Sequence, residues 1–144
     1  MALVRTHHNA YDTHYHIVFP IKYRKALLTN EVPLAINHIA QEISERYDIE
    51  FEKLGYDQNH IHILCSFPPK HSGSSVVRIF KSITARELFK QFPALKKELW
   101  GGEFWSDGFY LATVSERGNW HVVEQYVANQ GKTMGKPIQL QLLT

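Results

Sequence analysis

Cysteine is almost missing from this chain: Cys65 stands alone among 144 residues. A single thiol excludes an intramolecular disulfide framework and a cysteine-rich zinc site, and it fits a reducing compartment. Also missing is any apolar run of the roughly 20 residues a membrane-spanning helix needs. Met1 to Tyr11 lacks the apolar core of a signal peptide, so the expected location is cytoplasmic. No G-x-x-x-x-G-K-[ST] loop occurs, so no nucleotide-driven phosphate chemistry is expected. No low-complexity tract argues for disorder. The net charge of +2 is mild and permits nucleic-acid binding without demanding it. What remains is a chain of ordinary apolar content and generous aromatic content, long enough for one well-buried core. The expectation is a single domain over residues 1–144.

Histidine, in contrast, is plentiful, with nine in the chain. His60-Ile61-His62 sits inside the apolar run Ile61, Ile63, Leu64, Cys65. A strand alternates its side chains, so His60 and His62 leave on the same side and can hold one metal ion. Cys65 alternates away from them and is assigned to packing. A second pair, His14-Tyr15-His16, has the same spacing, and spacing alone does not prefer either. Tyr126 and Gln130 are four apart in a helix-like stretch and therefore share a helical face.

Periodicity gives the order of elements. His14 to Pro20 alternates as a first strand, and Lys22-Tyr23-Arg24-Lys25 forms a basic exit loop. Thr29 is the expected N-cap of a helix carrying Val32, Ile36, Ile39, Ile43 and Tyr47, with Pro33 in its first turn. Ile49 to Tyr56 and His60 to Phe67 make an antiparallel hairpin around the turn Asp57-Gln58-Asn59, which places the histidine pair where access is good. Ser72 to Ser75 opens a second helix with Val76, Phe80 and Ile83 on its apolar face. Arg78, Lys81, Arg86 and Lys90 fall mostly away, toward solvent or DNA. Phe104 to Val114 is β-prone and interrupted at Ser106-Asp107-Gly108. Asn119 caps a last helix that stops at Gly131. The predicted class is α+β: a ferredoxin-like or RRM-like split βαβ sandwich, with an antiparallel sheet, helices on one face and an extra C-terminal helix carrying the tyrosine. Its first and third strands lie side by side, which brings His16 near the His60/His62 pair.

Two neutral imidazoles and an amide oxygen carry no formal charge and leave coordination positions open for phosphate oxygens. Imidazole with oxygen ligands suits manganese or magnesium. A phenol needs a nearby cation or base to become nucleophilic, and its attack on a phosphodiester exchanges one ester for another without ATP.

In order and spacing, these pieces resemble the HUH single-tyrosine transposases of bacterial and archaeal insertion sequences, the IS200-like group. The matching residues run from Tyr15-His16-Ile17-Val18-Phe19 through Lys22-Tyr23-Arg24 and His60-Ile61-His62-Ile63-Leu64. They continue with Phe67-Pro68-Pro69-Lys70, Trp100-Gly101-Gly102 and Phe104-Trp105-Ser106-Asp107-Gly108-Phe109-Tyr110, and close with Tyr126-Val127-Ala128-Asn129-Gln130. The resemblance implies that His60, His62 and Gln130 are ligands of a divalent metal, Mg2+ or Mn2+. It implies that Tyr126 is the nucleophile of a 5′-phosphotyrosine intermediate, and it selects His60/His62 over His14/His16. It further implies a homodimer acting on single-stranded DNA, with recognition of hairpins at element ends and active sites completed in trans. Lys22, Tyr23, Arg24 and Lys25 become candidate DNA contacts, with Tyr23 or His71 stacking on unpaired bases. One departure stands out: Asn59 occupies the place where the family usually carries Asp before the first histidine. Alternatives are a domesticated REP-associated tyrosine transposase, a noncatalytic RRM-like nucleic-acid binder and a hydrolytic metallonuclease.

Overall fold

The computed structural model describes residues 4–5, 10–11, 13–114 and 141–142. A short ribbon, β1 (Val4–Arg5) with β2 (Ala10–Tyr11), precedes the main sheet. That sheet contains β3 (His14–Pro20), β4 (Glu50–Asp57), β5 (His60–Ser66), β6 (Tyr110–Val114) and β7 (Gln141–Leu142), in the order β6-β3-β5-β4-β7. Every pairing is antiparallel. With α1 (Val32–Tyr47) after β3 and α2 (Gly73–Gln91) after β5, the first four long strands and two helices form the expected split βαβ arrangement. The expected C-terminal helix over Asn119–Gly131 lies outside the described residues.

Both helices cover one face of the sheet. Ile17, Phe19, Phe51, Leu54, Tyr56, Ile61, Ile63 and Cys65 project toward Ile36, Ile39 and Ile43 of α1 and Val76, Val77, Phe80 and Leu88 of α2. The N-cap of α1 is Glu31 and makes no side-chain bond; Thr29 contributes instead its backbone carbonyl, which accepts from Val32 N at 3.2 Å. Left-handed Asn30 has turned the chain between them. Ser72 does cap α2, its hydroxyl accepting from Ser75 N at 3.1 Å. The buried stripe of α2 runs Val77, Phe80, Thr84, Leu88, and Ile83 is displaced to its half-buried edge. Of the residues between Phe104 and Val114, only Tyr110 onward joins the sheet as a strand. Trp105 makes an isolated bridge to Ile21 instead. Among the described residues no helix is long and apolar enough to cross a membrane.

One irregularity sets the opposite face. A β-bulge between Phe51 and Lys53 inserts Glu52 into β4. Without it, strict alternation after Phe51 would turn Leu54 and Tyr56 away from the core. With it, both are buried in the core, and Gly55 and Asp57 fall opposite His62 and His60.

Candidate metal and DNA-processing site

The face of the sheet turned away from the helices carries histidines. His14, His16 and Val18 of β3 lie opposite Ser66, Leu64 and His62 of β5, so all four histidines of the two pairs share that face. They are not equivalent. His14 bonds the bulged Glu52 through Nδ1. His16 Nδ1 lies 2.7 Å from His62 Nε2, as expected of side-by-side first and third strands. His60 Nδ1 lies 2.7 Å from Asn59 Oδ1 and 3.8 Å from the Asp57 carboxylate. An imidazole N–H donated to Asn59 fixes the tautomer and leaves His60 Nε2 with a lone pair. That nitrogen is buried and has no hydrogen-bond partner among the described residues.

Access differs from the sequence expectation. His60 is 1% exposed and His62 4%, although they begin the strand beside a turn. β5 is the central strand, flanked by β3 and β4 along its whole length. Burial holds all three rings neutral, the form that ligates metal. It pushes His62 down to about 3, with the charges of His16, His60 and Lys53 adding to the effect. It pushes His16 down to about 4, with Lys53 contributing. Burial also lowers His60, where Asp57 opposes the shift and Arg24 adds to it. Burial raises the Cys65 thiol on the helix-covered side, which is consistent with packing.

The sequence places Asp57 within the turn. The turn is in fact the two residues Gln58 and Asn59, so Asp57 pairs directly with His60. Its Oδ1 accepts from Gln58 N at 2.7 Å, while Oδ2 is buried without a hydrogen bond among the described residues. A two-residue hairpin count would have exposed this pairing.

The basic loop is attached to the same turn. Ile21 N donates to Asn59 O at 2.8 Å and Leu28 N donates to Gln58 O at 2.9 Å. Between those clamps lie Lys22, Tyr23, Arg24 and Lys25, with Tyr23 and Arg24 both at left-handed φ, 59° and 52°. His71 is turned inward instead, its Nε2 donating to Tyr47 O at 2.9 Å. Lys81 is also drawn in, donating to Ser106 O at 2.6 Å and Gly108 O at 3.0 Å. It lines a groove of about 430 Å3 that contains none of the candidate metal or basic-loop residues.

Tyr126 and Gln130 lie outside the described residues. Among the described residues no three His, Cys, Asp or Glu side chains group to hold an ion. The donor set nevertheless fits a divalent metal: two neutral imidazoles on one face, one with a bare buried nitrogen, leave room for an oxygen ligand from elsewhere.

The antiparallel split βαβ fold of this chain is shared with a solved transposase structure and, with the sequence likeness below, defines a DNA-processing transposase domain. Residues 9–130 match the family described as transposase IS200 like, and the chain belongs to that family. It is 30% identical over 120 residues to the ISDra2 transposase TnpA of Deinococcus radiodurans, covering 83% of this chain and 85% of that one. It is 32% identical over 123 residues to the transposase for insertion sequence element IS200 of Salmonella typhimurium, covering 85% and 80% respectively. A crystal structure described as a transposase from Deinococcus radiodurans R1 superposes with a TM-score of 0.74 at 30% identity, covering 88% of this chain and 97% of that one. A REP-associated tyrosine transposase bound to a REP hairpin shares the fold, with a TM-score of 0.58 at 15% identity, covering 93% and 75%.

Proposed function

We propose that this transposase cuts and rejoins single-stranded DNA through Tyr126, with a divalent metal, Mg2+ or Mn2+, held by His60, His62 and Gln130. The observation that carries the reading is His60 itself: Asn59 engages Nδ1, and Nε2 is left buried and without a partner among the described residues, on the face it shares with His62. A divalent ion bound there would polarise a phosphodiester and offset charge on its oxygens.

The chain's own residues do the rest. His60 and His62 are kept neutral by burial, and the bond from Asn59 aims His60. Attack by the Tyr126 hydroxyl oxygen forms a phosphorus–oxygen bond and breaks the bond to the 3′ oxygen. The 3′ hydroxyl end is released and the 5′ phosphate stays on the protein. Rejoining reverses the exchange at a new 3′ hydroxyl. Lys22, Tyr23, Arg24 and Lys25, clamped to the turn that bears His60, meet the DNA as it approaches. Hairpins at element ends supply recognition, and the likeness in fold to a structure holding a REP hairpin supports that choice. One tyrosine per chain serves one DNA end, so a homodimer with sites completed in trans handles two. The protein works in the cytoplasm, where its single thiol stays reduced.

The test uses 5′- and 3′-labelled single-stranded oligonucleotides carrying candidate element ends, incubated with Mn2+ or Mg2+ and run on a denaturing gel. The expected product is a protein–DNA adduct retaining the DNA on the 3′ side of the cut, lost in Tyr126→Phe and His62→Ala. Cleavage without adduct would make the protein a hydrolytic nuclease. Hairpin binding with no cleavage, unchanged in Tyr126→Phe, would make it a noncatalytic binder.

A further inference from the structure

Trp100 is 81% exposed and Tyr23 53%, an unusual disposition for two large aromatic rings. They are not scattered. Their ring centroids lie 6.0 Å apart at an interplanar angle of 19°, so they stack. The fold holds them out deliberately. Leu99 is buried, and the turn closed by Gly102 N donating to Leu99 O at 2.8 Å swings Trp100 into solvent. Tyr23 adopts φ 59°, a conformation a bulky residue takes only where its surroundings impose it.

Two ladders fix this pair relative to the candidate site. Lys22 N donates to Phe104 O at 2.8 Å and Ser106 N donates to Pro20 O at 3.0 Å, tying the Tyr23 loop to the segment that follows Trp100. Ile21 N and Leu28 N tie the same loop to the turn carrying His60. Around the rings stand Lys22, paired with Glu103 at 2.9 Å, and Lys25, paired with Glu98 at 3.5 Å. Both pairs are at the surface, where exchanging a carboxylate for a phosphate costs little. Arg24 lies close enough for its charge to act on His60.

We propose that Tyr23 and Trp100 form a stacking platform for an unpaired base of single-stranded DNA, placed beside the His60 turn so that the strand it holds runs on toward the metal site. The inference rests on the DNA-processing reading above and adds Trp100, and a specific chemistry, to it. Every base has a π face, so the platform holds a strand without selecting sequence, while the neighbouring cations follow its phosphates. Paired bases are already stacked and offer no free face, so the platform favours single strands.

The test is fluorescence anisotropy in EDTA, where no cleavage occurs, with a labelled oligothymidylate and the same backbone carrying abasic sites. Wild type is expected to bind the base-bearing strand more tightly. Trp100→Ala and Tyr23→Gly are each expected to weaken that binding by about five- to a hundredfold. Both should leave abasic binding, and the dependence of affinity on salt, unchanged, because no cation is removed. Trp100→Phe should retain most of the affinity. Tyr23→Gly also separates function from folding: glycine suits φ 59°, so this variant should melt no lower than wild type while binding less well. Wild-type affinity in both ring-removing variants, or equal wild-type affinity for the two strands, would overturn the platform. Adduct formation through Tyr126 is scored in parallel. An adduct without a stacking effect removes the platform and leaves the transposase reading; a stacking effect without an adduct does the reverse.

Discussion

Asn59 and His60 are adjacent in sequence and bonded through their side chains: Oδ1 of the amide lies 2.7 Å from Nδ1 of the ring. The bond orients the imidazole, but it supplies less basicity than a carboxylate would. Asn59 Nδ2, meanwhile, is buried with nothing to donate to among the described residues.

Asn59→Asp should therefore tighten metal binding. A carboxylate behind a ligating histidine raises the ring's donor strength, and such partners are worth roughly 10- to 100-fold in affinity. The substitution also removes the unsatisfied amide donor. Titration calorimetry with Mn2+ at neutral pH should show the dissociation constant fall by about 10-fold. An unchanged constant would mean that Asn59 serves orientation alone.

At the proposed metal site, the charge that Asn59 lacks would come from Asp57. It is buried, 3.8 Å from His60 Nδ1, and directly across the hairpin from it. Asp57→Asn keeps an oxygen for Gln58 N, so the turn should form. The loss of charge should weaken Mn2+ binding by about 10-fold. The exchanged pair Asp57→Asn with Asn59→Asp restores one carboxylate and should recover the affinity. Failure of the exchanged pair to recover would show that the charge must sit at position 57.

The pairing of His16 with His62 makes a prediction about acid. Both are held low, at about 4 and about 3, against an ordinary value of 6.5. Above pH 6.5 both rings are neutral whether the chain is folded or not, and they add no pH dependence. As the pH falls through 6.5 the unfolded chain takes up protons that the folded pair refuses, so stability drops with falling pH. Each ring accounts for on the order of 1 kcal/mol per pH unit until its folded value is reached. Urea unfolding of EDTA-treated protein should show the midpoint fall between pH 6.5 and 4, less steeply in His16→Gln. A midpoint independent of pH over that window would contradict the burial of the pair.

Much of this architecture was legible in the sequence because period-two and period-3.6 patterns are local. His14–Pro20 and the Val32–Tyr47 helix fall where their apolar spacing puts them. The histidine pair was legible for the same reason. Less visible were features that depend on register. The Phe51, Leu54, Tyr56 spacing breaks alternation, and only the bulge at Glu52 explains it. The side-by-side first and third strands already placed His16 near the pair, but its contact with His62 rather than His60 follows from the register of β3 on β5. Trp100 carries no local signal that it will be held in solvent; its exposure follows from the burial of Leu99 and the turn after it.

Thr84 is the clearest case of a residue that periodicity misplaces, and its role can be tested. It occupies a core position of α2 where the pattern calls for an apolar side chain, and it is fully buried. Its hydroxyl donates to Phe80 O at 2.6 Å and accepts from the indole Nε1 of Trp105 at 2.8 Å. Trp105 is itself buried against Phe19 and Phe104, and its backbone bridges to Ile21. Thr84→Val preserves shape but strands the indole N–H in the core, a loss of about 1–3 kcal/mol. Thr84→Ser keeps both bonds and gives up one methyl, about 1 kcal/mol. Urea denaturation should rank wild type above Ser and Ser above Val, with unchanged slopes. The Trp105 anchor belongs to the scaffold, not to the strand-holding surface. Below the unfolding transition, oligothymidylate affinity should therefore be the same in all three proteins. Valine matching wild type in stability would show that the indole finds another partner, and the hydroxyl would then have no structural reason to be there.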